Sequence, residues 1–188
     1  DREWAPTYGF GWKPRRRIHF KYDDTQPIGA SHHQKIVVID DAIAFCGGID
    51  LTCKRWDTCD HAPGDARRVV QGTPYPPFHD VAMAVDAEAA RALGDLIRER
   101  WQRATGQVLS PAHVRGADPW PPSYEPSMQH DLKVAISRTA PQSESVAGVR
   151  EIEAMYLDLI AAARRSIYIE NQYFTADKIG AALAARLA

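Results

Sequence analysis

Apolar and polar positions change their spacing several times along this chain. In "RRIHFKYDD", Ile18, Phe20 and Tyr22 alternate with Arg17, His19 and Lys21, the period-two pattern of a half-buried strand. After a loop with Pro27 and Gly29, "KIVVIDDAIAFCGG" is apolar except for two central aspartates. We read Lys35 to Ile39 as a strand, Asp40 and Asp41 as its turn, and Ala42 to Cys46 as the return strand of a hairpin that ends at Gly47 and Gly48. Residues 55–77 are polar and rich in proline and glycine, which predicts an irregular surface excursion. "PFHDVAMAVD" then predicts another strand.

Helical spacing begins at Asp86, a residue type suited to an N-cap. Leu93, Ile97 and Trp101 at i, i+4 and i+8 form the stripe expected to be buried, running to about Ala104 with Gly106 near the end. Residues 105–131 hold five prolines and two glycines without periodicity and read as a linker. Beyond it, "LKVAIS" predicts a strand. Ile152, Met155, Tyr156, Leu159 and Ile160 predict a helix, "SIYIENQYF" a strand, and "TADKIGAALAARLA" a further helical pattern. Strand, helix, strand, helix in that order predicts an α/β layered domain.

Composition narrows the classes. With 188 residues, 45% hydrophobic and 25% charged, the chain has the make-up of a folded protein. A formal charge of -1, from 23 basic and 24 acidic residues, argues against a surface built to neutralise nucleic-acid phosphates, and no nucleic-acid partner is expected. The apolar runs are far shorter than the roughly 20 residues of a membrane helix. Cys46, Cys53 and Cys59 make neither a CxxC pair nor an even set, so reduced thiols are expected. Many alanines and arginines hint at a bacterial source. The absence of a starting methionine and of a stop signal in the last helical pattern reads as a piece of something longer.

The stretch "SHHQKIVVIDDAIAFCGGID" carries the candidate chemistry. On a strand His33 and Lys35 share a face. A neutral imidazole can attack an electrophile while a neighbouring ammonium holds the electrophile's negative oxygens, a combination suited to a phosphate ester. Gly47 and Gly48 would let backbone approach a ligand. Asp40 should point away from the His33 face or sit in the turn, in a structural or supporting role. His32 should point opposite to His33, with no HExxH pattern beside it, so no catalytic metal or other cofactor is expected.

These residues closely resemble the signature of the phospholipase D superfamily, H-x-K-x4-D-x6-G-[GS]-x-[ND], with His33, Lys35, Asp40, Gly47, Gly48 and Asp50 in register. "GGIDLTCKRWDT" and "PPFHDVAMAV" resemble segments of its eukaryotic-type members, and "IYIENQYF" resembles the strand that opens their second half. The resemblance implies a phospholipase D-like layered α/β/α fold with a mixed sheet: a first half over residues 1–104, the linker over 105–131, and the beginning of a second half over 132–188. It implies hydrolysis, or transfer to another alcohol, of a phospholipid headgroup ester through a phosphohistidine. His33 is then the nucleophile and Lys35 the phosphate-oxygen ligand, with Asp80 orienting the histidine and Asp40 in support. Gly47, Gly48, Asp50, Asn171 and Gln172 would lie near the substrate.

No second copy of the full motif follows, since His61, His79, His113 and His130 lack a lysine two positions on. The second histidine would come from a missing half of the same protein or from a twofold-related copy. Alternatives within the superfamily are a cardiolipin-synthase-like transferase or a nuclease; a non-catalytic half that only binds phosphate or lipid is the alternative from another class. A cytoplasmic location or one peripheral to the membrane is expected, with "KPRRR" at 13–17 able to meet anionic headgroups. Trp4, Trp12, Trp56 and Trp120 are candidate interfacial contacts, and Trp101 a core residue.

Overall fold

Asp40 and Asp41 sit at φ 53° and 54°, the left-handed pair of a two-residue turn whose twist matches an antiparallel ribbon. The turn closes with the Ala42 N–H donating to the Ile39 carbonyl at 3.0 Å. In this computed structural model, which describes residues 17–112, 119–120, 129–143 and 147–187, it joins strand β1 (Lys35–Ile39) to β2 (Ile43–Gly47). The two-residue β3 (Val69–Val70) and β4 (Thr73–Pro74) form a small hairpin farther along, and β5 (Ala82–Asp86) pairs with the free edge of β2. The order β1-β2-β5 is antiparallel throughout, with Lys35, Gly47 and Ala82 in one row.

Helix α1 (Ala87–Thr105) follows β5 directly and covers one face of the sheet. Ala90 and Leu93 pack on Ala44, with Ile36, Val38 and Val85 around them. Lys35, Val37 and Ile39 belong to the opposite face, because side chains alternate along the strand. At the helix end Gly106, at φ 72°, donates its N–H to the Gln102 carbonyl at 2.7 Å, the left-handed stop expected of glycine. Asp86 occupies the N-cap position without a capping bond; its Oδ2 accepts the Trp120 indole N–H at 2.8 Å instead. Trp120 is therefore half-buried rather than an exposed contact, and Trp101 is half-buried with its indole on Gln107.

The turn also anchors the helix. Asp41 is buried, accepts Arg98 Nη1 on both carboxylate oxygens at 2.9 Å, and accepts the Ala112 N–H at 2.9 Å. Its carboxylate lies against the Gly94 backbone, where a Cβ would collide with Oδ1. Arg98 holds Asp41 below the usual carboxylate range although burial pushes the other way.

Residues 51–80 are largely irregular and exposed, as expected of a surface excursion, but they are organised around a polar centre. The Arg68 side chain, 1% exposed, meets the Asp57 carboxylate, 4% exposed, at 2.6 Å. Arg68 also donates to the carbonyls of Ala62, Pro63 and Tyr75. Asp57 takes the N–H groups of Thr58 and Phe78 at 2.8 Å and His61 Nδ1 at 3.0 Å. A polar sequence organised by one buried ion pair has no apolar period for sequence reading to detect.

The chain divides into two compact units, one of Ser31–His130 with the stretch that ends at Thr25, the other of Gln26–Ala30 with Asp131–Ala188. The second unit holds β6 (Thr139–Ala140) paired with β7 (Val149–Arg150), then α2 (Glu151–Ala162) and α3 (Asp177–Leu187). Arg138 and Glu151 pair at 3.2 Å, and Lys178 reaches Glu153 on α2 at 2.6 Å. On α2 only Ile160 of the expected stripe is buried, and Leu159 is 62% exposed. The strands expected in "LKVAIS", "SIYIENQYF" and residues 17–22 are not formed, and their large apolar side chains are mostly exposed. Alternating apolar residues make a strand only where a partner supplies the ladder bonds, and these segments have none among the described residues.

Candidate active site

His33 stands two residues before Lys35, at the end of the sheet where β1 and β5 both begin and β2 ends. Its ring is exposed and engaged by no other described side chain. Lys35 is held from two sides: Nζ donates to the His33 carbonyl at 3.0 Å and pairs with Asp50 Oδ1 at 3.0 Å. The hydrogen bond from Lys35 is the leading cause that keeps Asp50 below the usual carboxylate range. An ammonium is thereby fixed beside the backbone of an unencumbered imidazole.

Extending the register by two rows sets Asp80 level with His33, with β2's continuation between them. Two strand spacings separate their backbones, about 10 Å. Gly48 accounts for how Asp80 crosses part of that gap. A Cβ on Gly48 would strike the Asp80 carboxylate, and one on Gly47 would strike the Val81 and Ala82 backbone. The Gly48 N–H also donates to the Val81 carbonyl at 3.1 Å. The glycine pair thus admits its own neighbouring strand. The Asp80 Oδ1 accepts the Val81 N–H at 2.7 Å, and Asp80 and His33 are not hydrogen-bonded in this structure.

Asp40 is exposed in the turn, at the far end of β1, roughly 17 Å of strand from Lys35. His32 turns to Asp23, with Nε2 2.8 Å from Oδ2 but without hydrogen-bond alignment. Asp23 also takes Arg100 Nε at 2.9 Å and the Thr25 hydroxyl at 2.6 Å. Burial would raise Asp23, yet Thr25 and Arg100 together bring it down to about 2. Asn171 and Gln172 belong to the second unit. Asn171 Oδ1 accepts the Tyr173 N–H at 2.9 Å, and the residue lines a cavity of about 460 Å³ with Ile152, Tyr156 and Phe174.

Sequence reading left several residues without a structural role. Arg55 pairs with Asp50 Oδ2 at 3.4 Å and lies 5.0 Å from the Phe78 ring centroid. His79, beside Asp80, meets His61 Nε2 through Nδ1 at 3.3 Å, with the rings edge-on and 5.2 Å apart. The sequence reading also missed an H-x-K triplet before the motif, His19–Phe20–Lys21, with Gln26 where the motif's aspartate would stand. It lies in irregular, exposed chain. Lys13 to Arg16, Trp4 and Trp12 lie outside the described residues, while Trp56 is exposed under the Arg67 guanidinium at 5.1 Å. The three cysteines are free thiols. No helix among the described residues is long and apolar enough to cross a membrane.

Comparison with known proteins agrees with the motif. A family model described as phospholipase D matches residues 15–181. Phospholipase D alpha 1 of Vigna unguiculata is 28% identical over 77% of this chain and 24% of its own length. Phospholipase D alpha 3 of Arabidopsis thaliana is 26% identical over 80% of this chain and 24% of its own. The alpha 1 protein of Ricinus communis is 26% identical, over 80% and 25%. The chain spans about a quarter of the length of these relatives. All are plant proteins, so the comparisons lend no support to the bacterial source that composition suggested.

Proposed function

We propose, from the premise that this chain belongs to the phospholipase D family, that it carries one half of a site that cleaves the headgroup ester of phospholipids such as phosphatidylcholine. The observation that carries this reading is the exposed His33 imidazole beside an ammonium held by Asp50. His33 attacks phosphorus, forming a P–N bond as the P–O bond to the headgroup breaks. Lys35 neutralises charge on the nonbridging oxygens as it builds in the pentacovalent state. The departing alkoxide takes a proton from an acid outside this motif, supplied by a second half or by a twofold-related copy. Water then attacks phosphorus, passing a proton to the group that protonated the headgroup, and the P–N bond to His33 breaks to release phosphatidate; an alcohol in its place gives the transfer product.

Asp80, admitted by Gly48, is the acceptor available to orient His33 once substrate tightens the site, since catalytic hydrogen bonds often close only in the bound complex. Two units with their own elements support the reading of a motif-bearing half followed by the start of another. Work on aggregated lipid implies association at a membrane surface.

The test is incubation of the chain with phosphatidylcholine vesicles in dilute ethanol, followed by mass spectrometry for phosphatidylethanol. If a twofold-related copy completes the site, the product should appear and fall by roughly 10³-fold or more in His33→Ala, the scale of losing a covalent nucleophile; if it forms only when the second half is supplied, the acid belongs to that half. Cleavage of DNA with phosphatidylcholine left intact would select the nuclease reading instead.

A further inference from the structure

Asp50 has a cation on each oxygen: Lys35 Nζ at 3.0 Å from Oδ1 and Arg55 Nη2 at 3.4 Å from Oδ2. Two cations converging on two oxygens is also the arrangement a phosphodiester accepts through its nonbridging pair. The Asp50 side chain is 47% exposed, whereas Lys35 is 15% and Arg55 29% exposed. The anion is the solvent-facing member of the cluster, and the cations are the ones held in place.

Arg55 is positioned by more than Asp50. Its guanidinium lies 5.0 Å from the Phe78 ring centroid, and the Phe78 N–H is tied to the buried Asp57 carboxylate at 2.8 Å. A guanidinium has five N–H donors; among the described residues one contact, to Asp50, engages them. Lys35 also touches the His33 carbonyl at 3.0 Å, so the cluster adjoins the candidate nucleophile.

We infer that Arg55 is a second phosphate-binding cation, and that the Asp50 carboxylate occupies the place which the substrate's phosphodiester takes. This rests on the phospholipase D reading above. In the unliganded site the carboxylate keeps two cations from repelling each other. On binding, the nonbridging oxygens replace it on Lys35 and Arg55, and Asp50 turns to solvent. Arginine suits this role because its planar donors can hold two oxygens, whereas lysine grips as a point charge.

The decisive experiment titrates the whole chain with dibutyrylphosphatidylcholine, a short-chain diester that stays monomeric, and reads its Kd calorimetrically. Arg55→Gln should weaken binding about tenfold or more, a loss of roughly 1.4 kcal/mol, with Arg55→Lys between the two as a control for folding. Asp50→Asn, which removes the competing anion, should tighten binding several-fold. Opposite signs are the signature, since a purely structural Asp50–Arg55 clamp would lose affinity from either side. Weakening by both variants overturns the inference. An unchanged Kd in Arg55→Gln, with Lys35→Gln still weakened, overturns the role of Arg55 while the wider reading stands. No binding by the wild-type chain overturns both.

Discussion

A methyl group at position 48 would strike the Asp80 carboxylate, so Gly48→Ala is expected to move Asp80 without unfolding the sheet. The expected outcome is a fall in kcat of about tenfold or more, from a misplaced orienting group, with an unchanged circular dichroism spectrum. Wild-type kcat in this variant would remove Asp80 from the mechanism. Asp23 gives a pH prediction. Its native value of about 2 lies below the ordinary 3.8, so the stability it contributes is fully present above about pH 4 and is lost as pH falls through about 2. Asp23→Asn should therefore melt below wild type at pH 7 and converge with it near pH 2. At this scale the H-x-K pair was legible because the motif is contiguous. Arg55, Asp57 and Arg68 were not, because their roles depend on partners brought together by folding.

Among elements, the β1–β2 hairpin and α1 were legible because their causes are local. A two-residue left-handed turn, an i, i+4 stripe and a terminal glycine each act within a few residues. "LKVAIS" and "SIYIENQYF" carry strand-forming side chains too, yet a strand also needs a neighbour, and sequence alone cannot say where that neighbour is. Hydrogen exchange should be slow in β2 and the middle of α1 and fast across residues 132–138 and 165–174; equal protection would mean that those segments pair in solution. Gly94 tests the link from turn to helix. Alanine there gains about 1 kcal/mol of helix propensity but drives a Cβ into Asp41, which Arg98 and the Ala112 N–H hold in place. Overpacking costs of about 1–3 kcal/mol should win, so Gly94→Ala should lower the thermal midpoint rather than raise it.

For the whole molecule, α/β class and family were readable from four segments in order, and the family model's match over residues 15–181 covers the same ground. What holds residues 51–80 together was hidden, since a buried Asp57–Arg68 pair leaves no periodic trace. Arg68→Met should lower the thermal midpoint by roughly 5–10 °C, because it strands a buried carboxylate. The central claim is that His33 bonds covalently to phosphorus. It is tested most directly by mixing the chain with phosphatidylcholine, quenching within a turnover, and mapping modified peptides by tandem mass spectrometry. The account predicts a phosphatidyl group on His33, absent from His33→Ala. A chain that releases phosphatidate with His33 unmodified, or with the adduct on another residue, would contradict it.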